Sequence, residues 1–415
     1  MRRSLREAEE YLIGLELFGM RFGLDRMHRL TTALGMPQRR FAQIHVVGSN
    51  GKSSTVRFTA ALLERHGLRT GSYTSPHLVS FRERIEVGGE PVSGERFAAA
   101  VQRTAAAAKL VDRAGDEDDS VTQFEALTAA AYHELASQRV EVAVIEAGLG
   151  GRFDATNVIP SRVQVLTGVG LEHTRWLGPT ISDIAGEKLA VVRDHATLVT
   201  GALDADAEAV AARVSAERHA RWVHAPESSG AALLAAGDFQ RRNFAVACAA
   251  AEAFLGRPLD PNAVAGAAAE TPIPGRLDPV AVEPLTLHDG AHNPAGAGAL
   301  AGALPEVFGA RSPRILVASV LEDKDAAAML AALLPLFDRV VFTRCSNLRS
   351  LSPGTLESLA VKLEGPPAMT VGDPREAVRA AREQAGPQGA VVVTGSIYLI
   401  ADLVRPDAGA RASAL

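Results

Sequence analysis

Lysine is nearly absent from this chain. Of 43 cationic residues only 5 are lysine, at Lys52, Lys109, Lys188, Lys324 and Lys362, and the rest are arginine. Where a surface cation suffices, the sequence uses arginine. A lysine that persists therefore points to a compact charge, or to an amine that can give up its proton. Chance retention accounts for Lys109 and Lys362. Cysteine is scarce as well. Cys248 and Cys345 stand far apart, without metal-ligand spacing, which excludes a disulfide framework and fits a reducing compartment. An excess of positive charge is also missing. A net charge of −5 removes the electrostatic case for nucleic acid or an acidic membrane. No apolar run reaches membrane-spanning length. The opening MRRSLREAEEYL has no apolar signal-peptide core. The expectation is a cytoplasmic globular protein. Its 415 residues, 47% of them hydrophobic, suffice for two domains with large cores.

What is present begins with HVVGSNGKSST, residues 45–55. A short buried-strand pattern (41–47), a glycine loop and a helix pattern (53–67) follow one another, which is the context a phosphate loop requires. The usual first glycine is replaced by Val46, which argues against the common kinase or GTPase loop. Further apolar strand patterns occur at 140–148, 162–170 and 196–201. TISDIAGEKLAVVRD (180–194) reads as a helix with Thr180 as N-cap and Asp183 at the capping-box position. Residues 241–256 read as an Ala-rich helix, and 105–120 as a helix running into an acidic loop. ETPIPGRLDP (270–279) is read as a linker because of its three prolines. Strand patterns resume at 285–292, 314–320, 339–345 and 390–396, a second and smaller α/β unit.

Several stretches carry polar groups at strand ends, where open α/β sheets bind ligands. Glu146 lies at such an end and suits magnesium. His173 lies just past another. In YTSPHLVSFRERI (73–85), Ser75 and His77 can ligate or orient a group, and Arg82 and Arg84 can meet an anion. Asn243 can bond a base edge, Arg276 can reach phosphates and Asp289 can take ribose hydroxyls. Taken singly, loops, turns and surface ion pairs explain most of these nearly as well.

Taken together, the order of GxNGKxST, YTSPHLxxFxERI, FEALTAAA, ExGLGGRxDATNVI, GLxHTxxLG, PGR, DGAHNP and TGSxYL resembles the folylpolyglutamate synthase and dihydrofolate synthase family of the Mur ligase superfamily. The resemblance implies an α/β fold: a Mur-type phosphate-loop domain binding ATP and pterin (1–271), a linker (272–279) and a Rossmann-like glutamate ligase domain (280–415). It implies Lys52, Lys188 and His173 as the catalytic set. ATP falls to Gly51, Lys52, Ser53, Ser54, Asn243, Arg276 and Asp289, and Mg2+ to Ser75, Glu146 and His173. The pterin or folate falls to Asp25, Arg26, Thr122, Gln123, Phe124, Glu125, Phe153, Asp154 and Ala155, and the incoming glutamate to His292 and Ser396. Lys188 matches a lysine carbamylated by carbon dioxide, which fits an amine that arginine cannot replace.

The implied reaction joins L-glutamate to dihydropteroate or reduced folates through an acyl phosphate, in a monomeric enzyme. Three departures stand out. Family members more often carry Gly at position 53, Asp at 172 and Ala-Gly after the lysine, where this chain has Ser53, Glu172 and Leu189-Ala190. Ser53 reads as an ordinary loop serine, Glu172 is expected to shift the metal geometry, and Leu189-Ala190 to alter packing around Lys188. Two rival readings stay open: a related amino-acid ligase with another acceptor, and a nucleotide-binding protein without ligase activity.

Overall fold

The computed structural model describes residues 4–15, 23–114 and 120–405; the acidic loop expected after the helix Gly94–Ala114 lies largely outside them. Two sheets organise the described chain. The first contains β1 (Ala42–Val47), β2 (Thr70–Tyr73), β3 (Ile85–Val87), β4 (Glu90–Pro91), β5 (Val142–Glu146), β6 (Val163–Leu166), β7 (Thr197–Thr200) and β8 (Arg221–His224). Their order is β4-β3-β2-β5-β1-β6-β7-β8. All neighbours pair in parallel except at β3 and β4.

β1 lies inside the sheet, between β5 and β6, which is why its sequence is almost wholly buried. The pleat sends alternate residues to opposite layers. Ile44, Val46, Val142, Val144, Val163 and Val165 pack against the helices Lys52–Arg65 and Asp238–Leu255. Phe58 and Phe244 meet there edge to face, at 5.1 Å. Ala143 and Ile145 face a layer built from Leu30, Phe97, Leu127 and Tyr132. Val47 and Leu166 face Ala185 and Leu189.

The second sheet contains β9 (Asp278–Val282), β10 (Leu285–His288), β11 (Arg314–Ala318), β12 (Arg339–Phe342), β13 (Ala368–Thr370) and β14 (Ala390–Thr394). The order is β13-β12-β11-β14-β10-β9, with only β9 antiparallel to its neighbour. The same alternation recurs: Leu316, Phe342 and Val392 face one layer, Val317, Val341 and Val391 the other. The helix Pro261–Glu270 closes the first unit and β9 opens at Asp278, so the stretch read as linker runs two residues into the second sheet. Among the described residues no helix is long and apolar enough to cross a membrane.

Candidate active site

β1 passes into the helix Lys52–Arg65 through residues 48–51. Gly51 holds φ +83°, ψ −4°, and a Cβ there would stand 2.3 Å from Asn243 Oδ1, so glycine is required on both counts. No side chain caps this helix. Its first N–H groups are left for a ligand, at the end of the helix dipole that favours an anion.

Two lysines converge behind the loop. Lys52 Nζ donates to Gly48 O at 2.9 Å and to Ser49 O at 3.2 Å. Lys188 Nζ donates to Gly48 O at 2.9 Å and to Glu172 Oε1 at 3.1 Å. Lys188 is only 2% exposed, on the helix Ile181–Leu189, whose start has the expected Thr180–Asp183 capping box. Burial lowers the Lys188 pKa to about 8, with Glu172 working against the shift. Burial pushes the Glu172 carboxyl upward, but Lys188 and Lys52 outweigh it and hold it low. Glu172 is thus the lysine's ion-pair partner. Leu189 is fully buried in its cluster, so the departure after the lysine leaves the helix well packed.

The Glu146 carboxylate, 2% exposed, is gripped on both oxygens. Ser53 Oγ donates to Oε1 at 3.0 Å and the Ser75 N–H to Oε2 at 3.2 Å. Ser53 is therefore more than a loop serine. Burial raises the Glu146 pKa, and Lys52, Ser53, Ser75 and Arg276 oppose it. A buried carboxylate with the Ser53 hydroxyl beside it offers oxygen donors of the kind a hard cation such as Mg2+ takes. Among the described residues no three His, Cys, Asp or Glu side chains cluster as a metal site. A cation at Glu146 would complete its shell with hydroxyl, water or phosphate oxygens. His173, at left-handed φ +48°, is exposed as a residue. Of the surrounding charges, that of Lys324 bears on it most. Desolvation and that charge hold its pKa to about 4.

The segment 73–85 corrects one expectation. Arg84 is 1% exposed and donates to His77 Nδ1 at 2.9 Å, so neither side chain stands open to an anionic substrate. Arg82 is tied to Val92 O at 3.3 Å.

The residues expected around the pterin divide in two. Arg26 Nε bonds both Glu125 oxygens, at 3.1 and 3.2 Å, and both residues are buried. Glu125 and Thr122 also form the capping box of the helix Gln123–Ser137. Gln123 Nε2 donates to Leu12 O at 2.8 Å. Asp154 accepts the N–H groups of Leu149 and Thr156 at 2.8 and 3.0 Å, and Ala155 is buried. These residues are engaged in contacts within the protein. Asp25 and Phe153 are exposed, and Phe124 lies against Gly148, where a Cβ would come within 2.6 Å of its ring.

The second unit presents its own rim. β11, β14 and β10 are neighbours ending level, with Ala318 opposite Thr394 and His288 opposite Val393. Residues 289–293, 319–325 and 395–396 therefore share one edge. Asp289 accepts Leu277 N at 2.9 Å and Ala291 N at 2.8 Å while 3% exposed, so its observed work is to bind the inter-sheet segment to this rim. Burial raises its pKa and Arg276 opposes that. Arg276 lies over Gly290, where a Cβ would come within 2.1 Å of Nη1. His292 Nδ1 pairs with Gly290 O at 2.9 Å. Ser396 is 1% exposed and caps the helix Ile397–Val404.

Sequence reasoning gave no role to Lys324, although lysine scarcity had singled it out. Its charge bears on both His173 and His292, and Asp323 holds its ammonium at 3.1 Å. Asn50 and Asn293, motif residues to which the sequence assigns no role, pair across the two units. A cavity of about 930 Å³ lies elsewhere, at the N-terminal ends of β6 and β7, lined by Arg39, Arg162 and Arg193 and by none of the candidate residues.

Residues 275–397 match the Mur ligase glutamate ligase domain. The chain is 37% identical over 382 residues to the dihydrofolate synthase/folylpolyglutamate synthase of Mycobacterium tuberculosis, covering 83% of this chain and 78% of that protein. It is 35% identical over 402 residues to the folylpolyglutamate synthase of Lacticaseibacillus casei, covering 90% and 92%. Its fold matches the crystal structure of M. tuberculosis folylpolyglutamate synthase complexed with ADP and AMPPCP with a TM-score of 0.88, 34% identity and 96% and 97% coverage. It matches Escherichia coli FolC in complex with DHPP and ADP with a TM-score of 0.85, 28% identity and 97% coverage of each chain.

Proposed function

Because the chain belongs to the dihydrofolate synthase/folylpolyglutamate synthase family, and is an ATP-dependent ligase adding L-glutamate to dihydropteroate, to folates or to both, we propose the following residue roles. The uncapped start of the helix Lys52–Arg65 takes the ATP phosphates through Gly51, Ser53 and Ser54, and Lys52 neutralises the outer ones. Asn243, Arg276 and Asp289 complete the nucleotide site. The acceptor lies along Asp25, Phe124 and Phe153, with Arg26, Thr122, Gln123, Glu125, Asp154 and Ala155 shaping that wall. Glutamate enters at the second rim, at His292, Ser396 and Lys324.

The observation that carries this reading is the convergence of Lys52, Lys188, Ser53 and Ser75 on Gly48 and Glu146, at the ends of β1 and β5. The acceptor carboxylate attacks the γ-phosphorus and ADP leaves. Lys52 then faces the charge spread over the transferring phosphoryl group. The glutamate amine attacks the acyl carbon, loses a proton, and phosphate departs. Glu146, the Ser53 and Ser75 hydroxyls, and the neutral His173 ring would hold Mg2+, which supplies further charge stabilisation when bound. Closure of the second unit keeps water from the acyl phosphate.

Lys188 takes up carbon dioxide as a carbamate in this reading. A buried amine with a pKa near 8 supports it, and carbamylation requires the ion pair with Glu172 to be given up. The enzyme is a cytoplasmic monomer in this reading, supported for the compartment by its free cysteines. Mass analysis of products from dihydropteroate or a reduced folate, each with ATP and glutamate, tests the function. We expect glutamylated product from both acceptors. Absence of product from either one restricts the activity to the other.

A further inference from the structure

Each residue of the phosphate loop is held from within the first unit, with one exception. The Gly48 carbonyl accepts from Lys52 and Lys188. Ser49 N donates to Gly168 O at 2.9 Å, and its hydroxyl exchanges hydrogen bonds with Gly170 at 3.0 and 3.3 Å. The Asn50 carbonyl accepts from Thr167 Oγ1 at 2.6 Å. Gly51 is wedged against Asn243. The exception is the Asn50 side chain, which bonds across to the second unit. Its Nδ2 donates to Asn293 Oδ1 at 3.3 Å, and Asn293 Nδ2 donates back to Asn50 Oδ1 at 3.1 Å.

Asn293 is well placed for this. It is 5% exposed and is the N-cap of the helix Pro294–Phe308, with Oδ1 accepting Gly296 N at 2.7 Å. The cap fixes its rotamer, and both amides are paired through donor and acceptor. A Cβ on Gly170 would lie 3.9 Å from the Ala295 Cβ, so the start of this helix also borders the segment that steadies Ser49. An amide pair of this geometry breaks when its two carriers part by a few ångströms, because hydrogen bonds weaken steeply with distance and angle.

We propose that Asn293 is a positioning residue for phosphoryl transfer. Seated on Asn50, it lets the second unit fix the tip of the phosphate loop, so the loop takes its working shape only when the two units are closed together. This rests on the ATP-dependent ligase reading and adds to it a direct coupling between domain closure and the nucleotide site.

Asn293→Ser separates this role from helix capping. Serine is as good an N-cap as asparagine, but it is too short to reach Asn50. Asn293→Ser, Asn50→Ala and the double variant are prepared in the full chain. With the melting temperature held near that of the wild type, each single variant is expected to lose roughly tenfold or more in kcat for glutamate-dependent ADP release. The double variant is expected to be no worse than the poorer single, because both remove one interaction. Amide exchange of residues 49–53, measured without nucleotide, is expected to be faster in Asn293→Ser. Wild-type turnover in Asn293→Ser, losses that multiply in the double variant, or unchanged exchange would each overturn the proposal. A wild-type chain that ligates no glutamate would sink the ligase reading instead, and the exchange measurement would still decide the coupling.

Discussion

Lys52 and Lys188 meet at one oxygen: the Gly48 carbonyl accepts from both ammonium groups, each at 2.9 Å. The loop backbone is thus braced by two cations that differ in burial and in partners. Lys52 bonds only carbonyls, which ATP phosphates can replace. Lys188 is sealed in with a carboxylate. Substitution of Lys52 is accordingly expected to leave the loop braced while removing its mobile charge. Lys52→Ala should lose on the order of 10²–10³ in kcat, the usual cost of one donor to a developing charge, with an unchanged melting temperature. ADP release and thermal denaturation check both halves.

Lys188 is expected to behave in the opposite way. Its folded pKa, about 8, lies below the ordinary 10.5. Below pH 8 the amine is protonated folded or unfolded, and the cost of burying its charge is fully present. As pH rises from about 8 toward 10.5 the folded form sheds its proton first, so this group's contribution to stability improves. Lys188→Met should abolish that gain, seen as a flatter dependence of the denaturation midpoint on pH. Glu172→Gln removes the charge that opposes the shift, so more free amine is available at pH 7. Incorporation of ¹³C-labelled carbon dioxide at Lys188 should then rise. Lys188→Arg should be inactive although it keeps its charge.

Lys324 reaches toward the same centre from the other unit. Lys324→Gln is expected to raise KM for glutamate about 10- to 100-fold, the equivalent of one charge-assisted hydrogen bond of roughly 1.5–3 kcal/mol. ATP affinity should stay within about twofold, and Lys324→Arg should recover part of the loss. A fall in kcat at unchanged KM would place the lysine on the phosphoryl group.

The Arg26–Glu125 pair, at 7% and 9% side-chain exposure, should show itself in stability first. Glu125→Ala takes a bidentate carboxylate partner from a buried guanidinium and removes a capping box, so a loss of ~3–5 kcal/mol is expected. Denaturant unfolding measures it. Arg26→Ala with full stability and raised KM for the acceptor would return this pair to direct substrate contact.

Much of this architecture was legible because buried parallel strands are written as short apolar runs. β1, β5, β6, β7, β11 and β14 could be read that way. β8 could not: Arg221–His224 is an edge strand with both ends exposed, and its sequence RWVH has no apolar run. β9, also an edge strand, starts inside the proline-rich stretch and is mostly exposed. In the site, Thr180–Asp183 is legible as a cap from its T-x-x-D signature, while Thr122–Glu125, a T-x-x-E capping box in the structure, is also a position the resemblance gives to the substrate. Local chemistry cannot rank the two roles, since a carboxylate at that position suits either. The Asn50–Asn293 pair was illegible because its partners are 243 residues apart and nothing in either neighbourhood specifies the other.

The segment 73–85 gives Glu146 its Ser75 N–H and, a few residues on, packs Leu78 against Ile397 and Ile400 of the second unit, beside Gly275 of the inter-sheet segment. Recombination between relatives must respect this. A chimera cut at residues 271–277 separates the sheets cleanly but sets one parent's Leu78 and Asn50 against another parent's helix caps. Chimeras that carry residues 48–51 and 73–85 from the donor of the second unit should keep activity that the plain domain exchange loses. For exchange between proteins, the unit of inheritance is thus a sheet together with two loops borrowed from its neighbour.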